Sequence, residues 1–370
     1  AFFNGKTVLF CSYNNHPING VFDKLSNILY RNKRIPFPVL RLGNQEKEKE
    51  ALQYMKQLYE AHKNATIFEG TLDKNRELRT ERARRLSELL KKYEYELDLH
   101  DRDEALSSLL EYEKKNIKNP VMIPFQADLQ ERQLSQIKKK IEETGEIKEE
   151  DVLPLLDDNI EDLKKYLYYT SEKYIKKIGA AQNEELFDII YEEDESTQLG
   201  AFKRYLSNRD NIKKLQKIFP VIITTCISAH KIGEPSPMFD MVIMDEASQC
   251  NTAVSLVPII RGENLVLVGD PQQLNPVILL NEMVNEKLRR KYNVTDEYDY
   301  RKNSIYKTFL ACDCVSDEIL LHHHYRCNKK IIDFNNRKYY NSKLSIASEN
   351  TEEKPLVYVN VSTDGTDKKN

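Results

Sequence analysis

The sequence predicts an α/β protein whose parallel sheet is interrupted by a long helical insertion. Three observations predict it. Short, nearly continuous apolar runs stand near both ends of the chain: TVLFCSY, PFPVLRLG, FPVIITTCIS, FDMVIMDEAS and ENLVLVGDP. Strands buried on both faces by helices have this texture. Between the two groups, residues 44–215 are rich in Glu and Lys, poor in glycine, and step their apolar residues by three and four, which is helical spacing. Finally, the runs after residue 216 end in small or polar residues, at the edge where an open α/β sheet carries its ligands.

Taken in order, residues 1–43 read as strand, amphipathic helix (HPINGVFDKLSNILYRN) and strand. Residues 44–215 read as several helices packed as an antiparallel, coiled-coil-like stalk. Leu86, Leu90, Tyr93 and Leu97 mark one seam; Leu134, Ile137 and Ile141 a second; Ile160, Leu163, Leu167, Tyr174 and Ile178 a third. Breaks are expected near Asn119-Pro120, Pro124, Gly145 and Pro154. Residues 216–312 resume the sheet, and residues 313–370 begin another domain: EILLHHHYR, a helix through NKKIIDFNNRKYY, then a strand PLVYVNV.

Composition narrows the class. Charged residues are 31% and hydrophobic residues 40% of the 370, with net charge −3. No global basic field advertises nucleic acid, so a local groove must supply any such contact. Six scattered cysteines, most in apolar or motif-like settings, favour reduced thiols in the cytoplasm or nucleus over a disulfide framework. No apolar run approaches the roughly 18 residues of a membrane span.

Gly5-Lys6-Thr7 imitates the end of a phosphate-binding loop, yet the physics of that loop excludes it. Such a loop follows a strand and opens a helix; here the apolar run Val8-Leu9-Phe10-Cys11 follows instead. Two other motifs carry chemistry. In MVIMDEASQC, Asp245 and Glu246 stand at a strand's C-terminal end. A carboxylate there can hold Mg²⁺, and a second can orient and deprotonate a water. In LVLVGDPQQLNPV, a strand runs into Gly269-Asp270, with Gln272-Gln273 in a tight loop closed by Pro276. A neutral amide on such a loop can sense a γ-phosphate.

DEAS followed by GDPQQLNP resembles motifs II and III of superfamily 1 helicases, in the branch that holds senataxin and the nonsense-mediated-decay helicase. VLFCSYNNHPINGVFDKL is similar to that branch's motif Ia, VIITTCISA to the backbone-touching stretch before motif II, SIYKTFL to the segment after motif III, and HHHYRCNKKIIDFNNRKYYNSKL to motif IV. The resemblance implies two RecA-like domains of the P-loop NTPase type, the first interrupted by residues 44–215. It implies an ATP- and Mg²⁺-dependent motor moving 5′ to 3′ on single-stranded DNA or RNA. By this resemblance Asp245 holds Mg²⁺, Glu246 activates water, and Gln273 contacts the γ-phosphate beside Gly269 and Asp270. Arg326 is an arginine finger, and Ser12, Asn15 and Thr225 bond the strand's phosphates. The family's motif I is expected upstream of Ala1 and motifs V and VI downstream of Asn370. The expectation is therefore an internal piece of the motor, inactive alone as an ATP hydrolase. The alternative is a catalytically inactive nucleic-acid-binding or coiled-coil module, and the helical insertion could serve a protein partner.

Two features read more plainly. His322-His323-His324 beside Cys312, Cys314 and Cys327 lacks the C-x₂-C pairing of a zinc ribbon, and consecutive side chains on a strand point apart. Tyr166, Tyr168, Tyr169 and Tyr174 could stack on bases but suit interhelical packing.

Overall fold

The structure is a computed structural model that describes residues 5–66, 69–115, 124–145, 147, 149–152, 160–313, 316, 318–349 and 355–357. Cys314, the break at Asn119-Pro120, Pro154 and most of the strand expected in PLVYVNV lie outside the described residues; 355–357 carry no regular structure. The chain divides into two compact units, Ala1–Ala247 with Ala253–Val268, and Ser248–Thr252 with Gly269–Asn370.

The first unit is built on a five-stranded, wholly parallel sheet. Its strands are β1 (Val8–Ser12), β4 (Val39–Arg41), β5 (Val221–Thr225), β6 (Phe239–Asp245) and β7 (Gly262–Leu267), in the order β4-β5-β1-β6-β7. A small hairpin of β2 (Leu29–Tyr30) and β3 (Lys33–Arg34) precedes β4. Both of its turn residues, Arg31 and Asn32, have positive φ, matching the right-handed strand twist. Gly5-Lys6-Thr7 opens β1 at the N-terminal edge, and Asp240 accepts hydrogen bonds there from Lys6 Nζ, Thr7 N and Thr7 Oγ1.

Helix α1 (Asn15–Ser26) covers one sheet face. Its Ile18 joins Tyr30, Ile35, Phe37, Val39, Val221 and Ile223 in a buried cluster. Helix α2 (Gln45–His62) starts at Asn44, whose side chain accepts from Lys47 N–H. This cap satisfies an otherwise orphaned donor.

Helix α3 (Glu69–Lys115) and helix α4 (Pro124–Thr144) form a hairpin. Lys114 pairs with Glu131, while Glu96 accepts from Ile147 N–H, so the helices run antiparallel. Leu134, Ile137 and Ile141 lie on the sheltered side of α4, as their spacing predicts. The α3 seam differs from the expectation. Leu90, Tyr93 and Leu97 are 54%, 44% and 45% exposed, whereas Glu96, Leu99 and Leu110 are buried. The physical reason is length. At about 1.5 Å per residue, α4 is less than half as long as α3 and shelters only its C-terminal part, which accounts for Leu90 and Tyr93; Leu97, between buried Glu96 and Leu99, lies on the exposed face of the sheltered part.

After α5 (Glu149–Val152), helices α6 (Ile160–Lys176), α7 (Glu184–Tyr191), α8 (Glu195–Ser207) and α9 (Arg209–Gln216) return the chain to β5. Tyr166 is buried; Tyr168 lies 5.9 Å from Tyr30 and 5.4 Å from Tyr169, ring to ring; Tyr174 packs on the sheet cluster. The aromatics fasten α6 to the sheet. Helix α10 (Thr252–Ile259) connects β6 to β7.

The second unit holds α11 (Glu282–Tyr292), α12 (Ile305–Cys312), β8 (His323–His324), α13 (Lys329–Tyr339) and β9 (Ser345–Ile346). β8 and β9 pair in parallel across α13, a small β-α-β crossover. Buried Asp299 anchors this unit, accepting from Asn285 Nδ2 at 2.9 Å and Arg289 at 2.7 Å.

Candidate functional site

In the first unit, strand register builds the site. Ser12 stands opposite Thr225 on one side and Asp245 on the other. Three polar residues therefore form one row at the sheet's C-terminal edge. In-register neighbours point to the same face, and that face is the one α1 covers.

Asp245 and Glu246 are half-buried. Asp245 Oδ1 accepts the Glu246 N–H at 2.9 Å, and Glu246 sits at φ +54°. A left-handed, non-glycine residue is strained, and such strain concentrates at working sites. It turns the chain sharply out of β6 while Val268 N–H bonds Met244 O and Ala247 N–H bonds Val268 O at 2.8 Å each. Both carboxylates offer hard oxygen donors at one strand end, a donor set that fits Mg²⁺ held partly through water.

Ser12 is completely buried and its Oγ has no hydrogen-bond partner. Thr225 is nearly buried; its Oγ1 lies 2.9 Å from Ser228 Oγ and accepts Ser228 N–H. Asn15 is exposed in the first turn of α1. That turn carries no acidic residue and no side-chain cap, since Asn14 makes none. Beneath Asn15 lies Arg41 at the end of β4, 6% exposed. Burial lowers its guanidinium below the ordinary value, with Glu50 acting in opposition. Arg41 donates to Asn15 Oδ1 at 2.8 Å, Asn19 Oδ1 at 3.4 Å and the Leu42 carbonyl.

In the second unit, Asp270 organises the loop that Gly269 opens. Its Oδ1 accepts Gln272 N–H at 2.9 Å; its Oδ2 accepts the Gln273 amide at 3.0 Å and the Tyr340 hydroxyl. Its own N–H reaches Ser248 Oγ at 3.3 Å. The Asp270 carboxylate is thus occupied inside the loop, and it fixes Gln273. Burial and Asp270 push the Tyr340 hydroxyl up to about 12, so it stays a donor. Arg326 is exposed in the turn between β8 and α13. That turn is held on both sides: His324 Nε2 accepts Cys327 N–H at 2.8 Å, and Asn328 caps α13 through Lys330 N–H at 3.0 Å. His322 Nδ1 lies 3.0 Å from Lys343 O. Among the described residues no group of three or more His, Cys, Asp or Glu is placed to hold a metal ion.

The family model described as AAA domain matches residues 2–281 of this chain. The chain belongs to that family. The match includes the helical insertion. The chain is 31% identical to an uncharacterized ATP-dependent helicase of Methanocaldococcus jannaschii, over 38% of this chain and 20% of that protein. It is 28% identical to the mouse DNA replication ATP-dependent helicase/nuclease DNA2, over 40% of this chain and 12% of that protein. It is 28% identical to the yeast ATP-dependent helicase NAM7, over 45% and 16%. The chain therefore spans about a fifth or less of these relatives' lengths. Together the matches make this a superfamily 1 helicase-like member of the family, with the α/β sheet and helical insertion expected of it.

Sequence reasoning missed Arg41 and Tyr340. Arg41 left a signal, one arginine inside an apolar run at a strand's end. Tyr340 left none, because its partner Asp270 is 70 residues away.

Proposed function

We propose that this chain supplies the inner machinery of an ATP-dependent motor that steps 5′ to 3′ along single-stranded DNA or RNA. The observation that carries the reading is the in-register row of Ser12, Thr225 and Asp245 at one sheet edge. It puts the proposed strand contacts Ser12 and Thr225 in the same row as the proposed metal-binding carboxylate, which supports the reading. Asp245 holds Mg²⁺ and Glu246 orients and deprotonates the water. Mg²⁺ supplies charge neutralisation of the phosphates when bound. Gln273, held by Asp270 beside Gly269, senses the γ-phosphate. Arg326 stabilises the transferring oxygens with a charged, bidentate donor. Ser12, Asn15 and Thr225 contact the strand's backbone, which positions a strand without reading its sequence. The α3–α4 hairpin guides the nucleic acid or a protein partner. The protein works inside the cell, in cytoplasm or nucleus. The relatives' names as ATP-dependent helicases support the reading, as does the strained Glu246.

The test measures binding of labelled oligo(dT) and oligo(rU) across a salt series, and ATP hydrolysis with and without strand in wild type and Glu246→Gln. Salt-sensitive strand binding is expected. Absence of binding to either strand at low salt refutes the reading. Hydrolysis that survives Glu246→Gln refutes the role of Glu246.

A further inference from the structure

We infer that Arg41 is a positioning residue that sets the polarity of the Asn15 amide, turning its two N–H donors toward the strand's phosphate. The inference rests on the proposed contact of Asn15 with the strand and adds a mechanism to it.

An arginine side chain has five donors and no acceptor. Whatever amide atom faces Arg41 at 2.8 Å must therefore be the oxygen. Once Oδ1 is turned inward, Nδ2 is left on the exposed side of the first turn of α1. Exposed asparagine amides ordinarily turn either way, and half of those orientations present an oxygen, which repels phosphate. The contact with Arg41 removes that ambiguity before the strand arrives.

The surroundings make Arg41 suited to this work. Its fork is engaged by protein oxygens at the end of β4, so it holds Asn15 in place of reaching a phosphate itself. Its three hydrogen-bond partners are all neutral oxygens, those of Asn15, Asn19 and the Leu42 carbonyl, while Glu50 favours its charge from a distance and is itself paired with Lys47 at 2.7 Å. Gly43 is part of the fit: a Cβ there would stand 3.1 Å from an Arg41 terminal nitrogen. The uncapped, acid-free start of α1 adds no competing acceptor near Asn15.

The experiment is a salt series of oligo(dT) and oligo(rU) binding by the full chain, read by anisotropy. It compares wild type, Asn15→Ala, Asn15→Asp, Arg41→Gln, Arg41→Lys and the Asn15→Ala/Arg41→Gln double variant. Asn15→Ala and Arg41→Gln are expected each to weaken binding by about tenfold, the worth of one hydrogen bond to a charged group. The double variant is expected to bind no worse than either, because one acts through the other. Arg41→Lys, still a pure donor, is expected to recover part of the loss. The slope of log affinity against log salt is expected to be unchanged in Arg41→Gln. A slope smaller by about 0.7 would show that Arg41 touches a phosphate directly, and would overturn the inference. So would full binding by Arg41→Gln when Asn15→Ala binds weakly. No strand binding by the wild type defeats the proposed function itself, a separate outcome. If Arg41→Gln does not fold, Asn15→Asp decides: a carboxylate suits Arg41 and repels phosphate. Thermal stability at or above wild type with weakened binding is expected, and undiminished binding overturns the inference.

Discussion

Glu246 offers a clean measurement of strain held at the candidate site. The perturbation is a pair of variants, Glu246→Ala and Glu246→Gly. Both delete the carboxylate and every contact it makes, so their difference reports on the backbone alone. At an ordinary position glycine is the less stable of the two by about 0.4–1 kcal/mol, because its unfolded chain has more freedom to lose. Residue 246 sits at φ +54°, where a Cβ costs about 1–2 kcal/mol. Subtracting one from the other leaves Glu246→Gly more stable than Glu246→Ala by up to about 1.6 kcal/mol, centred near about 0.8 kcal/mol. Glu246→Gln keeps the Cβ and the strain, so it is expected to unfold near the Ala variant rather than above the Gly variant. The assay is equilibrium urea unfolding of the three variants under one buffer. If the glycine variant unfolds at lower urea than the alanine variant, residue 246 is not strained, and the argument from strain to function fails.

Three further expectations follow from single contacts. Asp240 is held down to about 2 by hydrogen bonds from Lys6 and Thr7; the unfolded carboxylate titrates near 3.8. The carboxylate therefore contributes stability in full above about pH 4, and loses it as pH falls through about 2. The Asp240→Asn variant should accordingly be about 1 kcal/mol less stable than wild type at neutral pH, a figure discounted for partial exposure. That gap should narrow steadily in urea titrations at lower pH. Glu48 is 1% exposed and paired with Lys231 at 2.7 Å. Lys231→Met strands a buried carboxylate and should cost about 3 kcal/mol; adding Glu48→Leu should recover most of it, and a double variant no better than the single one contradicts this. Tyr340→Phe removes one of three donors on Asp270 and should cost about 1 kcal/mol. Hydrogen exchange should then show faster exchange at Gln272 and Gln273 N–H; unchanged protection there would mean that the loop does not depend on Tyr340.

Much of the fold is legible in the sequence. Five apolar runs gave five strands: burial accounts for the continuous hydrophobicity of β1, β4 and β5, while the edge strand β7 keeps the apolar run although Val266 is 39% exposed. The exclusion of Gly5-Lys6-Thr7 as a phosphate loop also rested on local order, and Thr7 proved to be tied to Asp240 at the far end of the sheet from Asp245. The seam on α4 was legible for the same reason. The seam on α3 was not, since its apolar residues repeat over a stretch longer than the partner that covers them.

The sequence by itself determined the class of fold, the family resemblance, and which residue types stand at strand ends. Those follow from nearest-neighbour patterns that every segment carries alone. Only the tertiary structure decided that Ser12, Thr225 and Asp245 share a row, that Arg41 fixes Asn15, and that Tyr340 reaches Asp270. Those contacts join residues 26 to more than 200 positions apart. Strand register and helix packing set them, and no local spacing encodes either.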